Sequence, residues 1–361
     1  MTTRGRAQAA MGRANSLRAA TPGAVGCLAI LLSFLYACPG YAQGRGAAGG
    51  LKGASKTEST NQVPQAGPAL LSVVIEVERE KSSVKPPEDF DEGAEVAAMA
   101  RAISMQNPAE QKMNPVKFVQ DAYAQMAKDP LFKDLPSAMV APYSAASGHP
   151  CHYFLFLPEG YGEPVPAGGK EIKKWPLLVF LHGSGGNMKL APWTMLPVIR
   201  KQGYIAVFPS YLNGTWWTPV GGKFFRKVLS DVSQRYPIDR SRVIICGVSN
   251  GATGAWAISR SNSTEFRGVV SISGAFDGQE SMMATRGPPV YIVHGALDGV
   301  IHVKFSRAAS KALSHNRPGT VYKEFPEDGH LIFFSKGTEI MTGVFEWAEK
   351  LPPYPPGRKA E

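Results

Sequence analysis

The sequence predicts an α/β protein with a mostly parallel central sheet and helices on both faces. Three observations predict it. Short, near-continuous apolar runs recur between about residues 150 and 325, helical patterns lie between most of them, and Gly and Pro punctuate the junctions. Strands covered on both faces have no polar side to present, so they read as unbroken apolar runs. Strands that alternate with helices are joined by crossovers, which make neighbouring strands parallel.

The runs, in order, are Cys151–Leu157, Leu177–Leu181, Tyr204–Phe208, Val243–Cys246, Gly268–Ile272, Val290–Val293 and Val321–Phe325. Helical spacing occupies 191–202, 222–235, 250–260 and 302–315, and a last helix, 337–350, follows the final run. In open sheets of this kind ligands bind beyond the carboxyl ends of the strands. The loops that follow the runs are therefore where chemistry is expected.

The chain upstream has a different organisation. Residues 1–42 contain Arg4, Arg6, Arg13 and Arg18 and no acid, then the apolar stretch Ala24–Leu35, with small residues Gly40 and Ala42 before Gln43. This is the layout of a signal peptide over 1–42, cleaved before Gln43, which makes the protein exported, either secreted or periplasmic. The apolar stretch is too short for a permanent membrane span. A competing reading takes Leu35-Tyr-Ala-Cys38 as a lipoprotein box anchored through Cys38, with Tyr36 unusual inside it. Residues 43–91 read as a flexible linker or poorly ordered segment, with a strand-like run at Ala69–Val77. Residues 92–140 read as a helical N-terminal extension, with Val96, Met99 and Ile103, and later Val116, Val119, Ala122, Tyr123 and Met126, at helical spacing. The main domain is placed at 141–352 and a tail at 353–361.

Composition excludes several function classes. An apolar content of 44% and a charged content of 19% over 361 residues describe a globular chain. The formal charge is +10, yet no basic run is interleaved with aromatic residues, so no nucleic-acid partner is expected. No CxxC and no Cys/His cluster suggests a metal site. Cys151 and Cys246 lie in apolar runs and read as buried thiols, with a disulfide as the alternative.

Four loops carry candidate chemistry. The first is Gly247-Val-Ser-Asn-Gly251, between an apolar run and a helical pattern. A sharp strand-to-helix turn needs glycine on either side of a nucleophile, and it projects the Ser249 hydroxyl above the sheet. A hydroxyl needs a base. Among seven histidines, His330 follows the last strand in the loop Phe325–Leu331, where it can hang over the serine. His182 and His294 each precede a Gly at a strand end and are expected to make structural hydrogen bonds. The base needs an acid to fix its tautomer. Asp298, in the loop after Val290–Val293, gives the chain order Ser, Asp, His expected of this arrangement. Asp328 and Asp277 are its rivals. The fourth loop, His182-Gly-Ser-Gly-Gly186, lacks bulky side chains, so its backbone N–H groups can approach a developing oxyanion. The backbone N–H groups of Ser184 and Asn250 are the expected donors.

Taken as a set, LLVFLHGSGGN, YPIDRSRVIICGVSNGATGAW, HGALDGVI and EDGH resemble the α/β-hydrolase esterases, in particular the secreted polyhydroxybutyrate-depolymerase and feruloyl-esterase-like group with related carboxylesterases. The resemblance covers about residues 150–350. It implies the α/β-hydrolase fold, hydrolysis of a carboxylic ester without a cofactor, and an ester substrate of plant-polymer or polyester origin. The sequence departs from the group at Ala252-Thr253, where many relatives carry a further glycine. Trp216 and Trp217, after the third run, are candidates for a substrate-binding wall, with packing under a loop as the alternative. No insertion is large enough for a substantial lid, so an open cleft is expected. A serine peptidase on the same fold and a non-catalytic binding protein on a hydrolase scaffold are the competing functions.

Overall fold

The computed structural model describes residues 97, 100, 101, 104 and 105, then 114–126, 128–129, 152–161, 173–184, 190–210, 215–276 and 287–352. The expected signal peptide, Cys38, the linker, Cys151 and Asp277 lie outside the described residues. The elements are α1 (Pro115–Met126), β1 (His152–Phe156), β2 (Trp175–Leu181), α2 (Leu190–Ile199), β3 (Ile205–Ser210), α3 (Pro219–Arg235), β4 (Ile238–Val248), α4 (Asn250–Ser261), β5 (Gly268–Ile272), β6 (Val290–Gly295), α5 (Lys304–Asn316), β7 (Val321–Phe325) and α6 (Ile332–Lys350).

Seven strands form one sheet in the order β1-β3-β2-β4-β5-β6-β7. Only the β1–β3 pair is antiparallel. The apolar runs explain this placement. β2, β5 and β6 are buried at every position, as is β4 from Val243 onward. β7, at the far edge, buries only Phe325.

The chain leaves β2 in one direction to form β3 and returns in the other to form β4. Right-handed crossovers in opposite directions put their helices on opposite faces. α2 accordingly packs with α6, and α3 with α4. The reversal creates a switch point at the carboxyl ends of β2 and β4, where Leu181 pairs with Gly247. Open α/β sheets bind ligands at such a point.

Several local features differ from the sequence expectation. β4 begins at Ile238, five residues early, because Asp239–Arg242 hides a strand among polar residues. α3 begins at Pro219: proline suits a first helical position, and the Thr218 hydroxyl accepts the Gly221 N–H at 3.1 Å. α6 begins at Ile332, because the apolar Ile332-Phe-Phe334 faces the core. There Phe333 stacks on Phe180 of β2, and Phe334 meets Phe118 of α1 edge-on at 5.7 Å. α1 also buries Ala122 and Met126. Among the described residues no helix is long and apolar enough to cross a membrane.

Candidate active site

β4 ends in the sharp turn that carries Ser249. The residue sits at φ 54°, ψ −117°, a region that costs a non-glycine residue about 1–3 kcal/mol. The flanking glycines make the turn sterically possible. A Cβ on Gly247 would overlap the Gly251 carbonyl, and one on Gly251 would overlap the Leu181 carbonyl of the neighbouring strand. The Ser249 N–H bonds the Ile272 carbonyl at 2.9 Å, and the Ser249 carbonyl accepts from Thr253 N at 3.1 Å, so α4 starts at once. The sequence departure at Ala252 has a local answer. Residue 274 is glycine, and a Cβ there would overlap the Ala252 methyl.

Two further loops converge on that hydroxyl. His330 Nε2 lies 3.0 Å from Ser249 Oγ, and His330 Nδ1 lies 2.8 Å from Asp298 Oδ2. His330 and Asp298 are buried, while Ser249 is partly exposed. The acid and histidine loops are joined through backbone: Ala296 N–H bonds Phe325 O at 2.8 Å, and Leu297 N–H bonds Asp328 O at 3.0 Å. A Cβ on Gly295 would overlap the Asp328 carbonyl, so the loops can come this close only around glycine. The rival Asp328 directs its carboxylate elsewhere, accepting from the Ser335 hydroxyl at 3.3 Å.

Asp298 Oδ1 accepts from Val300 N and Ile301 N, each at 2.8 Å. Burial alone would raise its pKa. The nearby His330 charge and the hydrogen bonds from His294 and His330 outweigh burial and hold the carboxyl well below the usual range. Asp298 is thus an acceptor at neutral pH. Sequence reasoning gave His294 only a structural hydrogen bond at a strand end. It does not reveal that this bond falls on Asp298 itself, with Nε2 3.0 Å from Oδ2.

The loop after β2 lies beside the serine. A Cβ on Gly183 would stand 3.5 Å from Ser249 Cβ. The buried His182 has Nδ1 2.6 Å from the Gly183 carbonyl. In a trans peptide the C=O and the following N–H point in opposite directions, so this bond also fixes the aim of the Ser184 N–H. Burial, opposed by the Gly183 hydrogen bond, pulls the His182 pKa down from 6.5 to about 4. Ser184 is exposed and Asn250 buried, and the Asn250 amide reaches the Ser184 hydroxyl at 3.5 Å. Asn250 is the first residue of α4, at the positive end of the helix dipole.

The two tryptophans separate. Trp216 is wholly buried: its indole N–H bonds the His182 carbonyl at 3.1 Å, and its ring meets His182 and Phe224 edge-on. Gly254 of α4 leaves the room it occupies. The expected pocket wall at 216 is corrected to a packing wedge under the loop after β2. Trp217 is partly exposed. Cys246 is a buried free thiol whose pKa burial pushes up. Among the described residues no cluster of His, Cys, Asp or Glu is arranged to hold a metal ion.

The switch-point sheet and the turn at Ser249 have the layout of the α/β-hydrolase fold, and the known proteins the chain resembles include esterases. The Phospholipase/Carboxylesterase family matches residues 226–341, a stretch that includes Ser249, Asp298 and His330. Feruloyl esterase D of Neurospora crassa is 29% identical over 178 residues, covering 45% of this chain and 58% of the relative. The chain thus spans less than two thirds of that curated relative. Among solved structures, Est1E from Butyrivibrio proteoclasticus has 15% identity and a TM-score of 0.46, covering 57% of this chain and 98% of that one. The serine hydrolase FphF of Staphylococcus aureus has 14% identity and a TM-score of 0.46, covering 59% and 99%.

Proposed function

We propose that this protein is a serine esterase that hydrolyses carboxylic esters through a covalent acyl-enzyme. The observation that carries the reading is the continuous hydrogen-bonded line Ser249 Oγ–His330 Nε2 and His330 Nδ1–Asp298 Oδ2, at 3.0 and 2.8 Å. Ser249 Oγ attacks the ester carbonyl as His330 Nε2 takes its proton. The negative charge that develops on the carbonyl oxygen rests on the Ser184 and Asn250 backbone N–H groups. His330 then returns the proton to the departing alcohol. Water, activated by His330, cleaves the acyl-enzyme and frees the acid. Asp298 stays ionised, orients the imidazole and stabilises the imidazolium. No step calls for a cofactor.

The likeness to a feruloyl esterase supports a substrate with an aromatic acyl group, such as a hydroxycinnamoyl ester of a plant polymer, and the partly exposed Trp217 is the candidate to contact that ring. The test is a panel of feruloyl, acetyl-sugar, short-chain acyl and hydroxybutyrate esters set against a matched peptide panel. Turnover of esters with feruloyl favoured is expected. Cleavage of peptides alone would assign the same residues to a peptidase. Export of the chain, with residues 1–42 removed, belongs to the same reading. Intact mass of secreted protein should place Gln43 at the terminus, and a diacylglycerol on Cys38 would replace that reading with the lipoprotein one.

A further inference from the structure

The Asp298 carboxylate receives four N–H groups. Two are the backbone donors of Val300 and Ile301 on Oδ1. The other two share Oδ2: His330 Nδ1 at 2.8 Å and His294 Nε2 at 3.0 Å. His294 closes the carboxyl end of β6 and is wholly buried. Its Nε2 also lies 2.7 Å from the Ile301 carbonyl. Both Nε2 partners are acceptors, so Nε2 carries the proton. Its Nδ1 lies 2.7 Å from Ser306 Oγ in the first turn of α5, which fixes the ring from the other side. The acid thus stands between two imidazoles, only one of which reaches the serine.

We propose that His294 is a positioning residue for the reaction: it holds the Asp298 carboxylate jointly with His330 and so sets how strongly that carboxylate engages the imidazole that faces Ser249. The proposal rests on the triad reading above. A hydrogen bond to a charged group is stronger than one between neutral partners. When one carboxylate oxygen serves two donors, less of its charge is free to stabilise the His330 imidazolium. Removing the His294 donor therefore strengthens the Asp298–His330 pair, and the acid limb of the pH profile, which reports that coupled pair, moves to higher pH.

The other charged neighbours do not replace this effect. Glu324 of β7 is the cross-strand partner of His294. It is held by Arg307 of α5 at 2.9 and 2.6 Å and by the Tyr322 hydroxyl. None of those hydrogen bonds involves residue 294. Asp328, in the loop of His330, is engaged with Ser335.

The test is the pH profile of kcat/KM on p-nitrophenyl acetate for the full chain, for His294→Leu, His294→Gln and Ser306→Ala, and for Ser249→Ala as control. In His294→Leu the acid limb should move to higher pH by about one unit, with kcat reduced and KM unchanged. His294→Gln keeps an N–H donor and should move the limb back toward that of the unaltered protein. Ser306→Ala loosens the ring without removing it and should shift the limb in the same direction by less. An acid limb that stays in place in His294→Leu overturns the proposal. If that variant does not fold, an unmoved limb in Ser306→Ala does so. Activity retained in Ser249→Ala would instead overturn the triad reading, and this inference with it. A dead Ser249→Ala beside an unmoved limb overturns the role of His294 alone.

Discussion

At the scale of single residues, the reading of the site turns on which carboxylate serves His330. Asp298→Asn keeps the shape but places an amide where an N–H acceptor is required, and both His330 Nδ1 and His294 Nε2 point at that oxygen. Turnover should fall by about 10⁴-fold, as it does when a triad acid becomes its amide. Asp328→Asn should change kcat less than a few-fold, since its carboxylate accepts from the Ser335 hydroxyl and not from His330. Steady-state kinetics on one ester compares the two, and the reverse ranking would transfer the acid role to Asp328. The candidate residues are legible in the sequence because each follows an apolar run or lies in a Gly-rich loop, and strand ends are where side chains leave the sheet. His294 as a second donor to Asp298 is not legible. Its partners come from the loop after its own strand and from α5, and only the folded register brings them together. Trp216 is misread for a related reason. A tryptophan after a strand looks the same in sequence whether it faces a cleft or fills the space that Gly254 leaves.

At the scale of elements, the seven strands are legible because burial on both faces demands unbroken apolar runs. The boundaries that slip do so where that demand relaxes, as in the polar start of β4 and the apolar start of α6. The start of α6 also links α1 to the site. Phe118 contacts Phe334, Phe334 contacts Phe333, and Phe333 stacks on Phe180 beneath the switch point. Phe333 follows His330 by three residues. Truncation of buried Phe to Ala costs about 3–5 kcal/mol in a full core, and Phe118 is only half-buried. Phe118→Ala should therefore lower the melting temperature by a few degrees and leave KM unchanged. A chain starting near residue 85 should retain both kcat and stability, whereas one starting near Pro142, which lacks α1, should melt earlier. Calorimetry and kinetics on the same samples check this. Loss of turnover at unchanged stability in the chain starting near 85 would place part of the site upstream of that residue.

At the scale of the whole molecule, the buried histidine of the β2 loop sets part of the response to acid. His182 has its pKa lowered from 6.5 to about 4, so the unfolded chain binds a proton in a range where the folded one does not. Stability from this residue is full above about pH 6.5 and is lost progressively down to about pH 4, by on the order of 3 kcal/mol. Asp298, whose pKa is depressed in the folded state, contributes stability that is lost only at still lower pH. Melting temperature followed from pH 7 to pH 4 should fall, and His182→Asn should flatten the curve over that window. A wild-type curve already flat there would contradict the account of His182. Acylation of Ser249 is tested directly by intact mass and peptide mapping of the full chain after reaction with a fluorophosphonate or a slowly hydrolysed ester. One adduct, located on Ser249 and missing in Ser249→Ala, is the result predicted. Ester turnover without any adduct on Ser249, or turnover that survives Ser249→Ala, would contradict it.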